Sequence, residues 1–492
     1  MTRPWCPTTL HRRRQPELPP AHPRLRPVQS TVQNLTAPAT TPATKPVAVL
    51  VPIKAFDLAK NRLSGTLEPF DRQRLARELA ARVVSAAHPL PVYVVCEDDE
   101  VAAWAHAHGA GVIRSPGGGL NAAVEHGVSI LTTEGYPFVC VAHGDLPDAR
   151  DLSAVAGTEG ATFVPDRHGD GTNVACVPAG VGFRFAYGPG SFSRHVAEAR
   201  RLGLAVRVVH DDTLSWDIDT SDDLRAGDVN SAGMPTDAAR AWAPRTSKAS
   251  TMHLDLPVPR RALAIAAHPD DVEFQCGATF AKWAAHGCQL HHLICTDGSK
   301  GSWDPNIDTA ELVATRAVEQ RKAADALGST GEVRFLGAID GELEQNRVAV
   351  GAIARIIREL RPDVVLAHDP WRRWRLHPDH RNAGFLACDA VVAARDPHFF
   401  PEHGLAPHRP AAMLLFESEE PDHAEDVTGY EAAKVRALLA HVSQFETTMY
   451  IADGDDAAGL EAFDTHIRRE LAAQGRLIGV ASAETFLRLR DL

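Results

Sequence analysis

Two blocks of short apolar runs alternating with helical stretches limit what this chain can fold into more than any other feature. From Pro46 the runs VAVLVP, VYVVCED, GVIRS and FVCVAH are separated by stretches such as LARELAARVVSAA and VAAWAHAH. Buried strands alternating with helices of about 10 to 15 residues build βαβ units around a mostly parallel sheet. The block continues through TFVPDR, NVACVP and VRVVHD to DIDTSDDLRAG, after which residues 227–259 lose apolar periodicity and read as a linker. A second alternation starts at RALAIAAH and runs through LHHLICTDG, VRFLG, DVVLAHD and AAMLLFES. The expected fold is two α/β domains, residues 47–226 and 260–492, a count that suits 492 residues. Residues 1–46 are rich in Pro, Arg and Thr, lack the apolar core of a secretory signal, and read as a disordered extension.

A formal net charge of −12 argues against a general nucleic-acid binder, which needs basic surface to neutralise phosphates. Small anionic ligands stay open through local Lys and Arg. The 8 cysteines include no CxxC pair and mostly sit in apolar runs, which reads as reduced thiols in a cytoplasmic protein. No run of about 18 apolar residues is present, so no membrane span is expected. Oligomerisation is left open.

In open α/β sheets, ligands bind where strands end at their carboxyl edge, so the residues just after each strand come first. After ALAIAA stand His268, Pro269, Asp270 and Asp271. An aspartate here can cap the following helix, VEFQCGATFAKWAAHG, but capping needs no histidine. Imidazole and carboxylate three residues apart across a tight turn can converge on one point, and both are zinc ligands. A catalytic zinc wants a third protein ligand, and RRWRLHPDHRN after DVVLAHD offers His377 and His380, on one face if a helix begins there. Alone, HPDH reads as a polar surface loop; two such clusters, each after a strand, argue for a site.

AHPDD with EF.CG, then TDGSKGSWDP, R...E...A...LG ending in DGEL, HPDH and HVSQ resemble the PIG-L or LmbE-like zinc-dependent N-deacetylases over about residues 260 to 450. The resemblance implies a Rossmann-like deacetylase domain acting on an N-acylated, GlcNAc-type amine. It assigns zinc to His268, Asp271 and His380, and the base that deprotonates the attacking water to Asp270. His377 would stabilise the oxyanion and protonate the departing amine, while Arg316 and His441 are candidate substrate contacts. One departure is Gly277-Ala278 where the family has two glycines, a change of packing more than of chemistry.

In the first block, VPIKAFDLAKNRLSGTL gathers Lys54, Lys60 and Arg62, which alone would read as a solvated helix start. SPGGGLNAAVEHG puts three glycines ahead of a helix, where backbone N–H groups can approach phosphate or a base, although flexible Gly loops are common. FVCVAHGDLPD ends a strand with Asp145, and WDIDTSDDL supplies Asp217 and Asp219. Residues two apart in an extended segment point the same way, so that pair can share magnesium with Asp145. A turn into a helix at Ser221 would explain the same residues.

VPIKAFDLAKNRL, GGLNAAV, GDLP, PDRHGDGTN, GPGSFSRH and DIDTSDDL, in that order, resemble the CofC or FbiD-like guanylyltransferases over about residues 47 to 225. The resemblance implies a nucleotidyltransferase domain of GT-A type that transfers GMP from GTP to 2-phospho-L-lactate or phosphoenolpyruvate in deazaflavin coenzyme F420 biosynthesis. It gives magnesium to Asp145, Asp217 and Asp219, and the phospho-acid to Thr172, Gly188 and Ser191. Lys54, Lys60 and Arg62 would neutralise the triphosphate, and Gly118, Gly119 and Asn121 would meet the nucleotide. Asp170 adds a negative charge beside the acid site. Two rivals stand beside this bifunctional reading: a nucleotidyltransferase of other specificity, disfavoured by the missing G-x-G-x-x-R opening, and a domain that only binds or regulates.

Overall fold

The computed structural model describes residues 47–492 apart from 158, 225–248 and 453–455, so the expected N-terminal extension and most of the expected linker lie outside the described residues. The first block supplies β1 (Ala48–Pro52), β2 (Val92–Cys96), β3 (Gly111–Arg114), β4 (Phe138–Ala142), β5 (Ala161–Pro165), β6 (Thr172–Pro178) and β7 (Val206–His210). β1 pairs in parallel with β2 and β4, and β2 with β3. β6 runs antiparallel between β4 and β5. AVLV of β1 is buried throughout, as a central strand covered by helices on both faces must be.

The second block repeats the logic with β9 (Arg261–Ala266), β10 (Gln289–Thr296), β11 (Val333–Ala338), β12 (Val364–His368) and β13 (Ala412–Phe416), all parallel. β9 lies between β10 and β12, so the turn after it opens at the middle of the parallel sheet's carboxyl edge. β14 (His423–Asp426) and β15 (Ala483–Leu489) pair antiparallel and complete the half. Both halves are α/β, as the alternation predicts.

One expectation changes. Residues 250–254, placed in the linker, form β8 (Ser250–Leu254), which pairs antiparallel with β7 and in parallel with β14. β8 therefore joins the two halves into one fifteen-stranded sheet. Ser-Thr-Met-His-Leu carries too few apolar residues to announce a strand. Its pairing comes from two edges that would otherwise be bare.

The halves also share a core, since Phe163, Phe192 and Val196 of the first pack in one cluster with Met252, Leu254, Ala424 and Ile478. Arg200 forms ion pairs with Asp426 and Asp255, the second at 3.3 Å. Among the described residues no helix is long and apolar enough to cross a membrane.

Candidate active sites

His268 follows β9, and Pro269 and Asp270 turn the chain into the helix Asp271–Ala285. Asp270 sits at the N-cap position with φ 101°, yet its side chain makes no capping bond. The turn is closed instead by Asp271, whose carboxylate accepts the His268 N–H at 2.8 Å. Capping therefore does not account for the two adjacent carboxylates.

From over a hundred residues away, the helix Pro378–Arg395 delivers His380 to the same point. His268 Nδ1 lies 3.0 Å from His380 Nε2 and 3.4 Å from Asp271 Oδ2, and His380 Nε2 lies 3.4 Å from the other oxygen, Asp271 Oδ1. A tetrahedral zinc with bonds of about 2.0 to 2.1 Å spaces its ligands by about 3.3 Å, close to these separations, and His268 with His380 and His377, and Asp271 with His380 and His368, each bring three donor atoms within 4.8 Å of one another. Around it stand His368, 3.3 Å from Asp271, and the buried pair Asp340 and Asp379, 3.2 and 3.3 Å from His268 Nε2. A carboxylate on the far nitrogen fixes the tautomer that leaves Nδ1 free to ligate. One contact fits less well: Arg375 stands against His380 Nδ1, which must carry a proton when Nε2 binds metal, and an arginine cannot accept it. Arg375 has an alternative partner in Glu417 at 2.7 Å.

Asp270 stays off the cluster. Its N–H donates to Gln320 at 3.0 Å, and its carboxylate lies 3.4 Å from Arg316. Burial, together with the charge of Asp271 and against that of Arg316, pushes its carboxyl up to about 6, the range of a base working near neutrality. His377 occupies the N-cap position of the helix Pro378–Arg395 without a side-chain capping bond and stays exposed, its ring 4.6 Å from that of His268.

Arg316 and His441, expected to touch substrate, are placed elsewhere. The Arg316 guanidinium is buried and donates to Gly298 O at 2.9 Å and Pro269 O at 2.7 Å, which orients it toward the base. His441 is fully buried 3.4 Å from Glu273, behind the turn. Asp340, Asp379 and His368 were not singled out from the sequence. The DGEL and HPDH motifs contain the first two, and DVVLAHD contains the third, but only the folded neighbourhood gives them roles. Ala278 is buried in a core cluster with Leu438 and Phe463, so the departure from two glycines is absorbed by packing.

In the first half the Gly-rich loop holds Gly117, Gly118 and Gly119 at φ 96°, 98° and 85°, a left-handed run that only glycine adopts readily. It opens the helix Gly119–Thr133. Asn121 is engaged with Tyr187, accepting its N–H at 2.8 Å, and so ties this helix to the segment before Gly188. Thr172, Gly188 and Ser191 line one cavity of 440 Å³ with Asp145, Asp217 and Asp219. Lys54, Lys60 and Arg62 line an adjoining cavity of 370 Å³ that also meets Asp145 and Asp219. Asp170 accepts the Gly190 N–H at 2.9 Å, so its charge holds the turn.

The three carboxylates do not form a tight triad. Among the described residues, the groups with three donor atoms within 4.8 Å of one another all belong to the second half. Lys60 instead reaches Asp145 at 2.6 Å and Asp219 at 3.8 Å, placing an ammonium where a cation was expected. Asp217 is pushed up to about 6 by burial and by the charges of Asp145 and Asp219, an excess of negative charge that suits a divalent ion.

Comparison with known proteins matches each half separately. The family profile described as GlcNAc-PI de-N-acetylase, PIG-L, covers residues 263–391, and that of guanylyl transferase CofC-like proteins covers residues 47–233. Diacetylchitobiose deacetylase of Thermococcus kodakarensis is 32% identical over 228 residues, 46% of this chain and 81% of that protein. Phosphoenolpyruvate guanylyltransferase of Chloroflexus aggregans is 33% identical over 192 residues, 36% of this chain and 95% of that protein. Among solved structures, the N,N'-diacetylchitobiose deacetylase of Pyrococcus horikoshii matches with 30% identity and a TM-score of 0.43, over 47% of this chain and 84% of that one.

Proposed function

This chain belongs to two enzyme families, the GlcNAc-PI de-N-acetylases and the CofC-like guanylyl transferases, and from that premise we propose a bifunctional enzyme with residues 47–226 and 260–492 as its working domains. The first transfers GMP from GTP to phosphoenolpyruvate or 2-phospho-L-lactate, releasing pyrophosphate, in deazaflavin coenzyme F420 biosynthesis. Relatives named phosphoenolpyruvate guanylyltransferase favour the former acid. The second hydrolyses the N-acetyl group of an amino-sugar. Both work in the cytoplasm, where GTP is supplied.

For the deacetylase, the carrying observation is three side chains, His268, Asp271 and His380, whose nitrogens and carboxylate oxygens approach one another to 3.0 to 3.4 Å, with one buried carboxylate held off them. His268, Asp271 and His380 would hold zinc, which when bound supplies a Lewis acid and lowers the pKa of water. Asp270 takes the proton of the attacking water. Arg316 holds that carboxylate and Gln320 holds the backbone N–H of the same residue, so the base is in place before the proton arrives. His377, exposed beside His268, is positioned to donate to the amide oxygen and then to the leaving amine.

For the transferase, Asp145, Asp217 and Asp219 would hold magnesium once Lys60 swings to the triphosphate, while Thr172, Gly188 and Ser191 seat the acid. Phosphoryl-type transfer needs little beyond such positioning and charge stabilisation.

Purified protein should carry about one zinc per chain, and Asp270→Ala should keep it while hydrolysis of N,N'-diacetylchitobiose falls by about 10² to 10⁴. Zinc and activity lost together would contradict the role of Asp270. GTP, magnesium and phosphoenolpyruvate should release pyrophosphate; no turnover with either acid refutes the first assignment.

A further inference from the structure

The imidazole of His195 is fully buried on the helix Ser191–Arg201, one turn beyond Ser191, and both of its nitrogens are engaged. Nε2 lies 2.9 Å from the Ala186 backbone N–H, and Nδ1 lies 3.0 Å from Thr172 Oγ1. A backbone N–H can only donate, so Nε2 is the bare nitrogen and Nδ1 carries the proton. That proton can then go only to Thr172 Oγ1. Ser191 Oγ stands 3.5 Å away on the same oxygen as a second donor. With its oxygen accepting, the Thr172 hydroxyl has its own hydrogen left to give.

Thr172 lines the cavity that also holds Gly188, Asp145 and Asp217. His195 thus joins two parts of that wall, the start of β6 through Thr172 and the turn before Ser191 through Ala186. The other end of the turn is fixed by Asp170 on Gly190. The ring is packed against Tyr187 with centroids 4.8 Å apart and stacked on Phe163 at 6.1 Å, so it cannot flip cheaply. Burial, aided by His143 and Arg194, lowers its basicity to about 4, which keeps it neutral and preserves the one-donor, one-acceptor pattern.

We infer that His195 is a positioning residue that holds the Thr172 hydroxyl as an obligate hydrogen-bond donor toward an anionic oxygen of the phospho-acid. A hydroxyl left free to rotate would recognise donor and acceptor alike. One fixed as a donor selects acceptor-only oxygens, as on a phosphate or carboxylate. This inference rests on the reading of Thr172 as an acid contact.

The test is steady-state kinetics of GMP transfer by the full chain. His195→Phe keeps the aromatic packing and removes both bonds; it should raise KM for phosphoenolpyruvate about tenfold, the weight of one hydrogen bond to a charged group, with KM for GTP within about twofold. Thr172→Val should do the same. The double variant should be no worse than Thr172→Val alone, because the histidine acts through the threonine. His195→Gln, which keeps a donor and an acceptor, should recover most of the loss. If Thr172→Val leaves the acid KM unchanged, the acid-site reading falls and the inference with it. If Thr172→Val raises it while His195→Phe does not, or if the two effects multiply, only the inference is overturned. Should His195→Phe not fold, ¹⁵N NMR of the histidines in the unaltered protein decides: Nδ1-protonated His195 whose signal moves on adding phosphoenolpyruvate supports the inference, and an Nε2-protonated ring overturns it.

Discussion

At the scale of single residues, the deacetylase centre depends on groups one bond removed from the ligands. Asp379 accepts the N–H groups of Gly341 at 2.6 Å and Leu343 at 3.2 Å, and both it and Asp340 face His268 Nε2. Changing either to asparagine removes one of the two charges that fix the His268 tautomer. Asp379→Asn and Asp340→Asn should each weaken zinc binding by about 10- to 100-fold, read by competition with a chromogenic chelator. Unaltered affinity in both variants would show that backbone packing alone orients the ring. The ligand candidates were legible in the sequence because two His–Asp clusters each followed an apolar strand. Asp340 and His368 were not, because their roles arise only when β11 and β12 end at the same sheet edge as β9. Arg316 and His441 show the converse: a motif can mark a residue without showing that it is buried behind the chemistry.

At the scale of elements, the helix Pro378–Arg395 must lie close to the end of β12 for His380 to reach His268. Gly384 makes that approach: a Cβ there would stand 2.6 Å from His368 O and 3.0 Å from Pro370 N. These are backbone atoms next to a strand end, so they cannot step aside as a flexible side chain would. Gly384→Ala gains about 1 kcal/mol of helix propensity but forces a contact worth about 1 to 3 kcal/mol against it. The melting temperature should fall by a few degrees and zinc affinity with it, measured by calorimetry and metal titration; a more stable variant with intact affinity would mean the helix stands off without harm. Apolar runs such as RALAIA and VVLAH announced their strands because they are buried on both faces. β14 did not, since His-Ala-Glu-Asp reads as polar. Its residues are buried only because partners satisfy them, Glu425 bonding His423 at 2.9 Å and Lys282 at 2.7 Å.

At the scale of the whole molecule, the sequence shows two α/β blocks but not their union through β8. Short polar strands are specified by the edges they cover, and here those edges, β7 and β14, belong to different halves of the chain. The union has a thermodynamic consequence. Phe192 and Val196, on the helix that carries Ser191 and His195, share a core with Met252, Leu254 and Ile478, while Arg200 on that helix pairs with Asp426 and Asp255. Unfolding the second half would strip the covering from this helix, and unfolding the first would bare β8 and leave Asp426 without its arginine. Elements that share a core and a strand ladder open together. GMP transfer and deacetylation should therefore be lost at the same midpoint when the full chain is heated at saturating magnesium and zinc. Arg200→Ala should lower both midpoints by equal amounts, since the ion pairs it removes belong to neither site. Midpoints about 10 °C apart, or an Arg200→Ala effect confined to one activity, would show instead that the shared sheet connects two domains that fold independently.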